Sequence, residues 1–182
     1  MPRNIEIKAY IESVERLKPV AASLSEGVPV ETLQDDTFFP CTTGRLKLRA
    51  FADGTGLLIF YQRADKKGPK PSFFTTASTH APDALRDTLS LAYGLSGRVK
   101  KHRTLVTVGR TRIHLDRVEG LGDYLELEVV LEEGEAAALG EQEAYAIMEK
   151  LGVQPSQLVD RAYVDLLADK AVKREGLSQI SL

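Results

Sequence analysis

Strict alternation of apolar and charged residues, renewed in one short segment after another, constrains this chain more than any other feature. In Asn4–Tyr10, NIEIKAY, Ile5 and Ile7 fall on one face of an extended strand, with Asn4, Glu6 and Lys8 on the other. In GRLKLRA, Arg45, Lys47 and Arg49 oppose Leu46 and Leu48. In LLIFYQRA, Arg63 keeps step with Ile59 and Tyr61. Lys101 and Arg103 share a face with Val99, while Lys100 and His102 lie opposite. Farther on, Arg112, His114 and Asp116 alternate with Ile113 and Leu115, and Glu126 and Glu128 with Leu125, Leu127 and Val129. A period of two admits strands and excludes long helices for all of these segments.

Two further segments, ETLQDDTFF and FFTTAS, bring the strands expected to eight. ADGTG at Ala52–Gly56 is a hairpin signal, Gly109–Arg110 a tight turn, and DKKGPKPS a polar Gly/Pro loop. Helical spacing is expected over Ser13–Ser25, with Pro19 kinking it or delaying its start. Further helices are expected over Pro82–Tyr93, closed by Gly94, and over Glu141–Leu151 and Pro155–Lys170. The fold class is α+β: one eight-stranded antiparallel sheet, curled or closed, with helices at its margins. A single domain over residues 1–170 and a polar C-terminal tail over 171–182 are expected.

The polar faces carry two signs. Glu6, Asp116, Glu126 and Glu128 are acidic; Lys8, Lys47, Arg49, Arg63, Lys101 and Arg103 are basic. In an open sheet such a face simply meets water. In a closed barrel the charges turn inward, and the helices cover Ile5, Ile7, Leu46, Leu48, Leu125 and Leu127 outside. Six cations around one passage repel each other strongly, and a polyanion relieves that, with a divalent ion balancing the carboxylates. Arg and Lys are natural phosphate donors, and carboxylate oxygens suit Mg²⁺ or Mn²⁺.

The formal net charge of −2 provides no overall basic field, so neither nucleic acid nor a membrane surface is an expected partner. The single cysteine, Cys41, excludes an internal disulfide, and no Cys/His spacing suggests zinc. MPRNIEIK shows no apolar signal segment, and the expected location is cytoplasmic. Of the three histidines, His114 shares the face of Asp116 and is placed for a supporting contact there. Lys66–Lys70 reads as a wet loop from which Lys70 could reach a phosphate, and Cys41 has no partner that would mark it as a nucleophile.

From Glu6 and Lys8 through QDDTFF, GRLKLR, the Lys101–Arg103 pair, TRIHLD and EGLGDYLELEVV, residues 3 to 167 resemble the CYTH family, the triphosphate tunnel metalloenzymes. That family includes class IV adenylyl cyclases, thiamine triphosphatases and inorganic tripolyphosphatases; IHLDRVEGLGDYLELE looks closest to its bacterial and archaeal cyclase-like branch. The resemblance implies an eight-stranded antiparallel closed β-barrel, helices packed outside, whose tunnel holds a triphosphate such as ATP, another nucleoside triphosphate or tripolyphosphate. It implies that Lys8, Lys47, Arg49, Arg63, Lys101 and Arg103, joined by Arg112, grip phosphate oxygens. Glu6, Asp116, Glu126 and Glu128 would hold Mg²⁺ or Mn²⁺, with Lys8, Glu6 and Glu126 at the catalytic centre. Tyr163 would pack as a buried residue or help close the tunnel. Asn4 departs from the family pattern, standing where its first glutamate is found. The expected activity is metal-dependent hydrolysis of a nucleoside or inorganic triphosphate. The alternatives are class IV cyclisation of ATP to cyclic AMP and pyrophosphate, and a non-catalytic polyphosphate- or phosphometabolite-binding module. Related barrels often pair, so a homodimer is compatible.

Overall fold

The computed structural model describes residues 3–25 and 27–179. Eight strands run β1 Arg3–Tyr10, β2 Val30–Phe39, β3 Arg45–Phe51, β4 Gly56–Arg63, β5 Lys70–Thr79, β6 Gly97–Val108, β7 Thr111–Val118 and β8 Gly122–Leu131. They close into an antiparallel barrel in the order β1-β5-β4-β3-β2-β6-β7-β8. Closure fixes the fate of the alternation: every second residue must face the lumen, and its neighbours face outward.

Four α-helices accompany the strands: α1 Val14–Ser23, α2 Pro82–Tyr93, α3 Ala137–Lys150 and α4 Tyr163–Gln179. Pro19 lies inside α1 but does not delay it. The helix starts at Val14 because Ser13 and Asp123 supply acceptors for the N–H groups of Arg16 and Val14, the latter at 2.7 Å. The span expected to be helical from Pro155 is instead a 3₁₀ turn at Pro155–Gln157, with α4 beginning only at Tyr163. Helix α4 passes Lys170 and runs to Gln179, so the expected polar tail is helical to that point; residues 180–182 lie outside the described residues.

The outward apolar positions are covered largely as expected. Ile5, Ile7, Ala9, Ile113, Leu115, Leu125, Leu127 and Val129 form one core with Val14 and Ala21 of α1 and Ala144, Ile147 and Met148 of α3. Each large aliphatic side chain buried there contributes about 1.5–3 kcal/mol relative to exposure. Helix α3 lies so close to the wall that a Cβ on Gly140 would stand 2.7 Å from both Ile5 and Leu131. Leu48 is fully buried beside α2, whereas Leu46 remains partly exposed.

A second cluster stoppers one end of the barrel. Phe38, Val99, Val118 and Tyr124, at the ends or starts of their strands, pack around Ala162, Tyr163 and Val164 at the entry to α4. Arg45 of β3 anchors this helix through two hydrogen bonds to Asp165, at 2.6 and 3.1 Å. Among the described residues no helix is long and apolar enough to cross a membrane.

Candidate functional site: a charged lumen

The barrel encloses a cavity of about 330 Å³ whose walls differ in chemistry. Lys8, Lys47, Arg49, Arg63, Lys101, Arg103 and Arg112, the whole basic set from the sequence, line it. Glu6, Glu126 and Glu128 line it too, while Asp116 lies behind Lys101 and Arg103 with no solvent exposure. His102 and Lys100 point the other way, His102 meeting Glu31 outside the lumen.

Three carboxylates organise the cations. Asp116 accepts from Lys101 Nζ at 2.9 Å, from Arg103 Nε and Nη2 at 2.6 Å each, and from the Tyr163 hydroxyl at 3.1 Å. Burial pushes its carboxyl upward, but Arg103 and Lys101 outweigh that and hold it well below the usual carboxylate range. Glu126 bridges Lys8 Nζ at 3.1 Å and Arg103 Nη2 at 2.5 Å. Burial again opposes the charge, and Lys8, Lys101 and Arg103 overcome it. Asp36, not singled out in the sequence, performs the same service on the far wall: it accepts from Lys47 at 2.8 Å and from Arg49 at 2.7 and 2.8 Å. Its pairing with Arg49 across β2 and β3 is what reveals it.

Tyr163 both packs and closes. It is 6% exposed, and its ring lies 3.8 Å from Lys8 Nζ and 5.0 Å from Lys101 Nζ. Those distances place both ammonium groups against a π-face. Lys70 also departs from expectation. Strand β5 begins three residues before FFTTAS, so Lys70 is a fully buried strand residue paired with Glu6, not part of a wet loop. Cys41 is half-buried beside Thr43.

The donor set distinguishes which carboxylates fit a divalent cation. Glu6 and Glu128 are direct neighbours across β1 and β8, both facing the lumen, a like-charge pairing that a cation relieves. Glu6 Oε2 accepts from Arg63 at 3.0 Å; Glu128 Oε2 accepts from Arg112 at 3.3 Å and meets His114 Nε2 at 3.1 Å. That leaves one oxygen of each without a protein partner among the described residues. Glu128, held down chiefly by His114 against the effect of burial, titrates near about 2. Asp116 fits a metal poorly, because both its oxygens already receive cationic donors.

Burial lowers the Lys47 ammonium to about 7, with Arg49 adding to the effect and Asp36 opposing it; burial lowers Lys8 to about 8 against the pull of Glu126. For Lys47, whose ordinary value is 10.5, the unfolded chain holds more protons than the folded one between about pH 7 and 10.5. Ligand-free stability is therefore expected to rise with pH across that window, while affinity for a phosphate chain falls as the ammonium is lost. Calorimetry at pH 8 in buffers of different ionisation enthalpy should show proton uptake on tripolyphosphate binding. No uptake would mean that Lys47 is already charged.

A closed antiparallel barrel with a cation-lined lumen and a carboxylate wall defines the class of tunnel barrels. The chain belongs to the CYTH domain family, whose model matches residues 2–163. It is 25% identical over 168 residues to the adenylate cyclase CyaB of Aeromonas hydrophila, covering 88% of this chain and 86% of that one. Among solved structures it resembles the PH1012 protein of Pyrococcus horikoshii, with a TM-score of 0.78, 20% identity and coverage of 90% and 99%. It also resembles HpAC1 of Hippeastrum, described as having a dominant triphosphatase activity, with a TM-score of 0.67, 13% identity and coverage of 93% and 96%.

Proposed function

We propose that this protein is a divalent-metal-dependent enzyme that hydrolyses a nucleoside triphosphate inside its lumen. The observation that carries this reading is the convergence of seven cations, drawn from five different strands, on one enclosed cavity. Outside the family context such a concentration of charge is costly, and a phosphate chain is the ligand that removes the cost.

The chain's own residues account for binding and orientation. Arg49 and Lys47 on one wall and Arg103, Lys101 and Lys8 on the other face a common space, so successive phosphates are held from opposite sides. Asp36, Asp116 and Glu126 fix those donors before the ligand arrives, and a preorganised charge loses little in reorganisation as negative charge builds on the leaving oxygen. Glu6 and Glu128, with Glu126 adjacent, are the proposed holders of Mg²⁺ or Mn²⁺. When bound, such an ion supplies Lewis-acid charge and makes a coordinated water more acidic. In hydrolysis the water oxygen forms a bond to the terminal phosphorus, the bond to the bridging oxygen breaks, and the departing diphosphate keeps the electron pair.

Apolar side chains favour a substrate with an organic end. Val30, Leu57, Ile59, Phe74 and Leu105 also line the cavity, and Val30, Leu57 and Leu105 lie toward the end opposite Tyr163. An inorganic chain has no use for such a surface; a base has. The same wall, with the relation to CyaB, supports a second reading: attack by the ribose 3′-hydroxyl on the α-phosphorus, giving cyclic AMP and pyrophosphate. Purified protein with ATP and Mg²⁺ or Mn²⁺ is expected to release orthophosphate, and to act on tripolyphosphate less efficiently. Cyclic AMP with pyrophosphate would replace hydrolysis by cyclisation; tight binding without product would make the protein a binding module.

A further inference from the structure

Beside the cavity lies a small polar group that the clamp described above does not use. Asn4 is 1% exposed, and neither its amide nitrogen nor its amide oxygen has a partner among the described residues. Its ladder neighbour on β5 is Ser72, 3% exposed, and Ser72 in turn pairs with Arg63 on β4. Arg63 spends one guanidinium nitrogen on Glu6, and its Nε–H is buried without a partner among the described residues. Next along β1, Glu6 pairs with Lys70, a residue 1% exposed whose ammonium donates, among the described residues, to the Lys66 carbonyl at 2.8 Å.

Buried polar atoms without partners cost about 1–3 kcal/mol each, so the Asn4 amide and Arg63 Nε, two strands apart on one face, point to a missing ligand. The set is rich in donors: two N–H bonds on Asn4, one on Arg63, two on Lys70 and the Ser72 hydroxyl. Arg63 and Lys70 outnumber Glu6 in charge. This chemistry suits an oxyanion, and a carboxylate at position 4 would oppose it. The set spans the end of β4, the start of β5 and the start of β1, with Asn4 four residues before Lys8, the β1 residue that meets the Tyr163 ring, and Arg63 six residues beyond Leu57 of the apolar wall.

We infer that Asn4, Arg63, Lys70 and Ser72 form a subsite for the terminal phosphoryl group of the bound chain. Glu6 and Arg63 line the cavity, whereas Asn4 and Lys70 stand behind them. An arriving phosphoryl group draws Arg63 from Glu6 and gains access to the amide and the ammonium. The inference rests on the triphosphate reading, and it gives Asn4 a role of its own: a neutral donor where an acid would repel.

The test is calorimetry without metal, at pH 7, on wild type, Asn4→Leu and Lys70→Met, with tripolyphosphate, pyrophosphate and orthophosphate. Wild type is expected to prefer tripolyphosphate to pyrophosphate by about tenfold or more, and both variants to bring that ratio close to one. Asn4→Leu should melt at or above the wild-type temperature, since it removes two unpartnered atoms at similar volume, so lost binding cannot be lost folding. A ratio unchanged in both variants would overturn the subsite while leaving the functional reading standing. Orthophosphate binding as tightly as tripolyphosphate would make this a free-phosphate site and would also overturn it. Wild type that binds no tripolyphosphate removes the functional reading and the subsite together.

Discussion

Asp116→Ala is expected to lower the melting temperature of the ligand-free protein by about 10 °C. The carboxylate has no solvent exposure, and four hydrogen bonds from Lys101, Arg103 and Tyr163 end on it. Removing one partner of a buried ion pair costs roughly 3–5 kcal/mol because the other partner stays buried and unpaired. For a chain of this size each kcal/mol moves the midpoint by about 2–4 °C. Arg103 keeps Glu126, which places the expected value toward the lower part of the combined range. Asp116→Asn, which keeps the shape and some acceptor capacity, should lose about half as much. Saturating tripolyphosphate should restore part of the loss in both variants, since its oxygens offer the stranded cations new partners. A melting temperature within about 2 °C of wild type for Asp116→Ala would show that these contacts do not hold the lumen together.

Glu126→Gln is expected to lower turnover by on the order of 10²–10³-fold with little change in the fold. This carboxylate connects Lys8 to Arg103, and it pairs with His114 across β7 and β8. An amide of equal size keeps the packing but can no longer hold both cations by charge, and it removes one candidate metal oxygen. Substrate binding should weaken much less than turnover, because the remaining cations still face the phosphates. Steady-state kinetics with ATP and Mg²⁺ separates the two effects as a split between kcat and KM. An unchanged kcat would take Glu126 out of the reaction centre.

The barrel was legible because a period of two leaves each strand only two faces, and the charge sign marked which face was which. Glu6, Lys8, Lys47, Arg49, Arg63, Lys101, Arg103, Arg112, Glu126 and Glu128 all reached one cavity from that signal. Asp36 escaped because Asp35 stands beside it, and two adjacent acids hide the parity until strand pairing is known. In the structure Asp35 turns outward to Arg98, and Asp36 turns inward. Lys70 escaped for another reason. Gly68, Pro69 and Pro71 around it are turn residues by local chemistry, yet β5 tolerates Pro71 close to its start, where the ladder to β1 is only beginning. The break before α4 was also hidden, since Pro155–Lys170 keeps helical spacing across a segment whose Val159 N–H is taken by the Lys8 carbonyl. Asp116 showed its acidity in the sequence but not its neighbours, which make it a holder of cations.

Tyr163 turns the passage into a cul-de-sac. A flexible polyanion can back in by a bare terminus, whereas one capped with a nucleoside at both termini, or closed into a ring, has no loose end to lead with. Discrimination among phosphate compounds would then begin with topology, before any base is recognised.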